Sequence, residues 1–137
     1  MAADVFVDTS GFYALLAKRD TWHQKADRLV SKAGRDGRRL VTTDYVLVET
    51  ANLLRARGLG YLTSELFERV LNSTACRIEW TDVDGFQKAR VFFQKHTDQS
   101  WSFTDCSCFC AMKELRVREA LTSDAHFEQA GFVVLLK

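Results

Sequence analysis

The hydrophobic pattern divides the chain into short apolar bursts and longer stretches of helical period. Val5-Phe6-Val7 is an unbroken run of β-formers, which reads as a buried strand. Asp8-Thr9-Ser10 ends it with cap chemistry, and Gly11 to Leu16 reads as the helix that follows. Trp22, Ala26, Leu29 and Val30 share one helical face, with Gly34 and Gly37 marking that helix's end. Leu40-Val41-Thr42 is a second strand, and Thr43-Asp44 opens a helix from Tyr45 to Arg57. Gly58-Leu59-Gly60 breaks it. Leu62, Leu66, Phe67, Val70 and Leu71 then mark a further amphipathic helix, so the pair reads as a helical hairpin.

Cys76 to Trp80 alternates apolar and charged residues, the pattern of an edge or half-exposed strand. Asp82 and Asp84 cap a helix whose Phe86, Ala89 and Phe93 are expected in the core. A polar loop leads to Ser102-Phe103-Thr104-Asp105, which starts a helix continuing through Phe109, Met112 and Leu115. Glu119 to Thr122 is a strand, Ala125-His126-Phe127 a short helical turn, and Phe132 to Leu136 the last strand. The alternation predicts an α/β sandwich, a mostly parallel sheet flanked by helices. Right-handed crossovers place the loops after each strand on one edge.

The length, 137 residues, suits one domain over 1–137. A net charge of +1 offers no global basic field, which argues against a purely electrostatic nucleic-acid binder. No apolar stretch is long enough for a membrane span, and no signal region precedes the first strand, so a cytoplasmic protein is expected. Cys106, Cys108 and Cys110 lie on opposite faces of one helix, a spacing that cannot close a tetrahedral zinc site. They read as small buried hydrophobes, and a disulfide framework among these and Cys76 is not expected. Arg35, Arg38 and Arg39 read as a solvated loop, with phosphate contact as the alternative.

Four carboxylates fall where they could converge. Asp8 and Asp124 follow strands, Asp105 lies in the first turn of a helix, and Glu49 sits between Val46 and Leu53 on or beside an inward face. Two of them have a plainer reading: Asp8 as a helix cap, and Glu49 at the edge of the apolar stripe, paired with Arg55. Two carboxylates about 4 Å apart repel by roughly 4 kcal/mol at an effective dielectric of 20. A cluster of four therefore calls for protons or cations. Oxygen donors of this hardness suit Mg²⁺ or Mn²⁺, and the chemistry implied is metal-assisted phosphodiester hydrolysis by an activated water.

Val5-Phe6-Val7-Asp8-Thr9-Ser10, Val48-Glu49-Thr50, Ser102-Phe103-Thr104-Asp105-Cys106 and Thr122-Ser123-Asp124-Ala125-His126-Phe127 resemble the four motifs of the PIN-domain ribonucleases. The likeness is nearest to the toxin component of VapBC-type toxin–antitoxin modules. Each motif is short, but the ordered set spans the chain. The resemblance implies a five-stranded parallel sheet in a three-layer PIN-like sandwich. It implies Asp8, Glu49, Asp105 and Asp124 as the catalytic, metal-binding quartet for one or two Mg²⁺ or Mn²⁺ ions. Thr9, Ser10, Thr104 and Ser123 would be supporting hydroxyls. RNA would be cut endonucleolytically, leaving 5′-phosphate and 3′-hydroxyl ends. Many relatives carry a proline where this chain has Thr42-Thr43, a departure that leaves the quartet untouched.

Candidates for RNA contact are Lys18, Arg19, Arg55 and Arg57, each of which also reads as ordinary solvated surface. A toxin would need an antitoxin partner, expected in a groove beside the helices over 45–57 and 61–71. A homodimer through the same hairpin is expected as well. The alternatives are a PIN-like domain that binds RNA or protein without cutting, and a housekeeping RNA-processing nuclease. An aspartate-nucleophile phosphatase is disfavoured, because Ser10 stands where such enzymes carry a second aspartate.

Overall fold

The computed structural model describes residues 3–137. Its five strands are β1 (Val5–Val7), β2 (Leu40–Thr43), β3 (Cys76–Glu79), β4 (Glu119–Leu121) and β5 (Val133–Val134). They form one sheet in the order β3-β2-β1-β4-β5, and every neighbouring pair is parallel. The register sets Phe6 beside Val41 on one side and Ala120 on the other. All three are fully buried, as expected of central strands in a parallel sheet covered on both faces.

Among the described residues seven α-helices flank the sheet: α1 (Thr9–Leu16), α2 (His23–Arg35), α3 (Asp44–Ala56), α4 (Thr63–Leu71), α5 (Val83–Lys95), α6 (Phe103–Leu115) and α7 (Ala125–Gln129). Strands β1 to β3 step outward in one direction, and the chain then returns past β1 to add β4 and β5. With right-handed crossovers this reversal puts α1–α4 on one face and α5–α7 on the other. Consistently, α1 packs on α2, α3 and α4, while α6 packs on α5 and α7. The strand order switches between β1 and β4, and in open α/β sheets the crevice at that point is where ligands bind.

Five of the seven described helices start at a capping side chain, whereas α2 and α4 start without one. Asp8, Thr43, Asp82, Ser102 and Asp124 each cap the helix that follows, accepting a backbone N–H. Edge strand β3 is half-buried, in keeping with its alternating pattern, and Asp44 ties its end by accepting from the Thr81 N–H (3.0 Å) and hydroxyl (2.6 Å). Gly58 takes a positive φ of 75° at the break after α3, and a 3₁₀ turn over Gly60–Leu62 leads into α4.

Several boundaries differ from expectation. Helix α2 runs through Gly34 to Arg35, and Gly37, with φ 71°, is the glycine at the reversal after it. The last strand is only Val133–Val134, although the Leu135 and Leu136 N–H groups beyond it still donate to the Ala120 and Thr122 carbonyls. Phe86 and Phe93 are a correction: they are 42% and 39% exposed. Helix α5 is rotated so that Ala89 is its buried residue and Phe92 packs against the core. Phe86 and Phe93 instead gather with Phe103, with ring centroids 5.4 and 5.5 Å away.

Arg38 and Arg39 flank the start of β2, at the edge of the sheet away from the loops that follow the strands. They pair with Glu119 and Asp4. All four cysteines are free thiols; Cys106 and Cys108 are buried, Cys76 and Cys110 half-buried. Among the described residues no helix is long and apolar enough to cross a membrane.

Candidate active site

One open cavity of about 300 Å³ lies at the carboxyl ends of β1 and β4 and is lined by Asp8, Glu49, Asp105 and Asp124. Four segments deliver them: the β1–α1 junction, the middle of α3, the first turn of α6, and the β4–α7 junction.

Asp8 is the most constrained of the four. Its Oδ1 accepts from the Gly11 N–H at 3.0 Å and the Ser10 hydroxyl at 2.9 Å. Its Oδ2 accepts from the Thr122 hydroxyl at 2.9 Å. Ser10 Oγ in turn accepts the Ser123 N–H, and Thr122 Oγ1 accepts the Asp124 N–H, both at 3.0 Å. These bonds lock the end of β1 to the end of β4. The approach is close because residue 11 is glycine: a β-carbon there would stand 2.0 Å from the Leu121 carbonyl oxygen. Burial pushes the Asp8 carboxyl up to about 7, although the Gly11, Ser10 and Thr122 bonds pull it down, and the charge of Asp124 adds to the rise.

Asp105 belongs to a capping box. Its N–H donates to Ser102 Oγ (3.0 Å), and its Oδ2 accepts the Ser102 N–H (3.1 Å). Asp124 caps α7, its Oδ1 accepting the His126 N–H at 2.9 Å. Glu49 was expected on or beside an inward face; its side chain is exposed on the cavity wall, alongside Val46 and Leu53. The buried Cys108, one turn beyond Asp105, also borders the cavity. Its thiol is held far above its ordinary range, first by burial and then by the negative charges of Asp8, Asp105 and Glu49.

Of the four hydroxyl residues expected to support the acids, all line the cavity. Ser10 is the one whose side chain bonds an acid directly, and Ser123 contributes its backbone N–H. Two further contributors were not singled out. Thr122 ends a strand and opens the fourth motif, and its hydroxyl bonds Asp8 directly. His126, which the pattern places in a short helical turn within the same motif, has its Nδ1 2.9 Å from Asp105 Oδ2 and 3.5 Å from Asp124 Oδ1. One donor atom each from Asp105, Asp124 and His126 lie within 4.8 Å of one another.

The expected basic residues separate. Arg57 lines the acid cavity, its guanidinium 4.8 Å over the Tyr13 ring. Tyr13, Asp20 and Arg57 also border a second cavity of about 750 Å³, lined further by Lys18, Arg19, Leu59, Tyr61 and Leu62. Arg55 is exposed and lines neither.

The donor set fits a hard divalent cation. Carboxylate oxygens from four segments face one space, and a cation there would lower the Asp8 carboxyl that burial has raised.

Comparison with known proteins agrees with this architecture. The PIN domain family model matches residues 5–133. The 23S rRNA-specific endonuclease VapC20 of Mycobacterium tuberculosis, from strains CDC 1551 and H37Rv, is 31% identical over 129 residues, covering 94% of this chain and 95% of the relative. The crystal structure of M. tuberculosis VapC20, described as a sarcin-ricin loop cleaving toxin, superposes with a TM-score of 0.85 at 30% identity. The match covers 95% of this chain and 97% of that one.

Proposed function

This chain belongs to the PIN-domain family, and from that premise we propose that it is a metal-dependent endoribonuclease, the toxin of a toxin–antitoxin pair, built as one domain over residues 1–137 and acting in the cytoplasm. The observation that carries the reading is the meeting of Asp8, Glu49, Asp105 and Asp124 in one cavity at the switch point of the sheet.

Asp8, Asp105 and Asp124 would hold Mg²⁺ or Mn²⁺, with Glu49 at the rim. A divalent ion bound there acidifies a water and offsets the charge that builds on a phosphodiester under attack. The protein's own work is positioning. Ser10, Gly11 and Thr122 aim both oxygens of Asp8, and the capping box with Ser102 holds Asp105. Glu49, exposed at the mouth, is free to accept a proton from an incoming water. Arg57 would meet a phosphate oxygen of the RNA, with Lys18 and Arg19 continuing the path along the adjoining cavity.

That adjoining cavity, walled by Leu59, Tyr61 and Leu62, is where a segment of an antitoxin would lie. The exposed Val48 on α3 and Phe67 and Leu71 on α4 favour a homodimer through the hairpin. Ribosomal RNA is the substrate to test first, since VapC20 is named for 23S rRNA.

The test is brief expression followed by sequencing of RNA 5′ ends, with Asp8→Asn in parallel. Discrete new ends with wild type and none with Asp8→Asn are expected. Identical RNA profiles for the two, with the purified wild type also inert on ribosomal RNA in Mn²⁺, would leave a PIN-like domain that binds without cutting.

A further inference from the structure

Building on the metal-dependent reading above, we propose that His126 is a nitrogen ligand of the divalent ion and tilts the site toward Mn²⁺ over Mg²⁺. The backbone of His126 is fixed by its N–H donating to Asp124 Oδ1 at 2.9 Å. Its ring then points between the two carboxylates that α6 and α7 supply, with Nδ1 2.9 Å from Asp105 Oδ2 and 3.5 Å from Asp124 Oδ1. Donors on adjacent vertices of an octahedral ion with bonds of about 2.1 Å stand about 3 Å apart. The two separations from Nδ1 lie near that value, and all three atoms lie within 4.8 Å of one another, close enough to share one ion.

The other ring nitrogen supports the same assignment. Nε2 lies 3.3 Å from Ser100 Oγ, in the loop before α6. With its proton on Nε2, the imidazole donates to Ser100 and turns the Nδ1 lone pair toward Asp105 and Asp124. Three acceptors then face one another, an arrangement that a cation satisfies. A metal-bound imidazole characteristically uses its second nitrogen in this way, to fix ring orientation and tautomer.

The chemistry of the donor decides between ions. Carboxylates serve Mg²⁺ and Mn²⁺ alike, whereas imidazole nitrogen favours first-row transition ions over Mg²⁺, which keeps to oxygen donors and water. The selectivity would thus come from this one side chain.

The experiment uses the full chain, stripped of metal and titrated with Mn²⁺. Free Mn²⁺ is read by electron paramagnetic resonance, Mg²⁺ affinity by competition, and the bound ion's neighbours by pulsed methods sensitive to ¹⁴N. Wild type is expected to show a directly coordinated nitrogen that is lost in His126→Ala and His126→Asn. Mn²⁺ affinity should fall about tenfold or more in both variants. Mg²⁺ affinity should change far less. His126→Asn keeps an N–H within reach of Asp105, so it separates ligation from a merely structural hydrogen bond. Bound Mn²⁺ without nitrogen coupling in wild type, or a wild-type Mn²⁺ to Mg²⁺ ratio in His126→Asn, overturns the proposal and leaves the nuclease reading standing. Failure of wild type to bind Mn²⁺ at all overturns both.

Discussion

Thr122 donates its hydroxyl to Asp8 across 114 residues of chain, at 2.9 Å and fully buried. The same oxygen accepts the Asp124 N–H, so one side chain sets the positions of two acids from different strands.

Thr122→Val removes that oxygen while keeping the shape. It leaves Asp8 Oδ2 and the Asp124 N–H without their partner, at a cost of about 1–3 kcal/mol for a buried group so stranded. RNA cleavage should drop about 10- to 100-fold, the usual consequence of losing a group that orients a metal ligand. Ser123→Ala removes a hydroxyl that bonds no acid, and should cleave within about threefold of wild type, since its backbone N–H to Ser10 remains. Thermal melts and single-turnover cleavage of the two variants check this. Equal losses in both would show that Thr122 has no special place.

Gly11 is the point where α1 touches β4. A methyl group there meets the Leu121 carbonyl at 2.0 Å, and a backbone oxygen cannot swing aside. Gly11→Ala should destabilise by about 1–3 kcal/mol, as overpacking does, and should also cut activity because Asp8 lies three residues away. Gly34, inside α2 with open space around its would-be β-carbon, is the contrast. Gly34→Ala should stabilise by about 0.4–1 kcal/mol. Denaturant unfolding of both variants measures the difference in sign.

The sheet, its order of elements and the four acids were legible because each rests on a local signal. Val5-Phe6-Val7 could be little but a buried strand, and Asp8 had to sit at its carboxyl end. What the pattern hid depends on rotation and on distant pairing. In α5 the adjacent Phe92 and Phe93 offer two helical phases. The structure takes the one that joins Ala89 and Phe92, because Trp101 and Phe109 stand opposite them. Thr122 ends a strand with a hydroxyl whose purpose appears only when β4 lies beside β1. A lone histidine on a five-residue helix carries no periodic signal. Its meaning comes from Asp105, 21 positions earlier in the chain.

The Asp8 carboxyl gives the metal-free protein a defined pH response. Its ordinary value is 3.8 and burial lifts it to about 7 in the fold. Between those values the folded protein holds a proton that the unfolded chain releases, so stability falls as pH rises through the window. Three units correspond to at most about 4 kcal/mol. In chelator, the melting temperature should therefore decline from pH 5 to pH 8, with Asp8→Asn flattening the decline and melting higher at pH 8. Adding Mn²⁺ to about 100 times its dissociation constant should raise wild-type stability by about 2.7 kcal/mol. A chelated melting temperature that rises between pH 5 and pH 8, equally in wild type and Asp8→Asn, would contradict the assigned burial cost.

Arg57 is the one lysine or arginine among the described residues lining the acid cavity, and it stands where that cavity opens into the larger one. Resting on the Tyr13 ring, the guanidinium is held at the junction yet keeps its N–H fork free for a phosphate. A hydrogen bond to a charged group is worth about 1.5–3 kcal/mol, so Arg57→Ala should slow RNA cleavage at least about 10-fold. Arg57→Lys should recover only part of the loss, because an ammonium lacks the planar fork that stacks and binds two oxygens at once. Mn²⁺ affinity should not fall in either variant, since neither substitution touches the donors of the acids. Arg38→Ala, at the opposite end of the sheet and paired with Glu119, serves as the reference for losing a positive charge anywhere on the molecule. Cleavage of one labelled RNA by all three variants over a range of salt decides the matter. If Arg38→Ala slows the reaction as much as Arg57→Ala does, the effect is one of net charge, and the junction between the cavities has no part in holding the substrate.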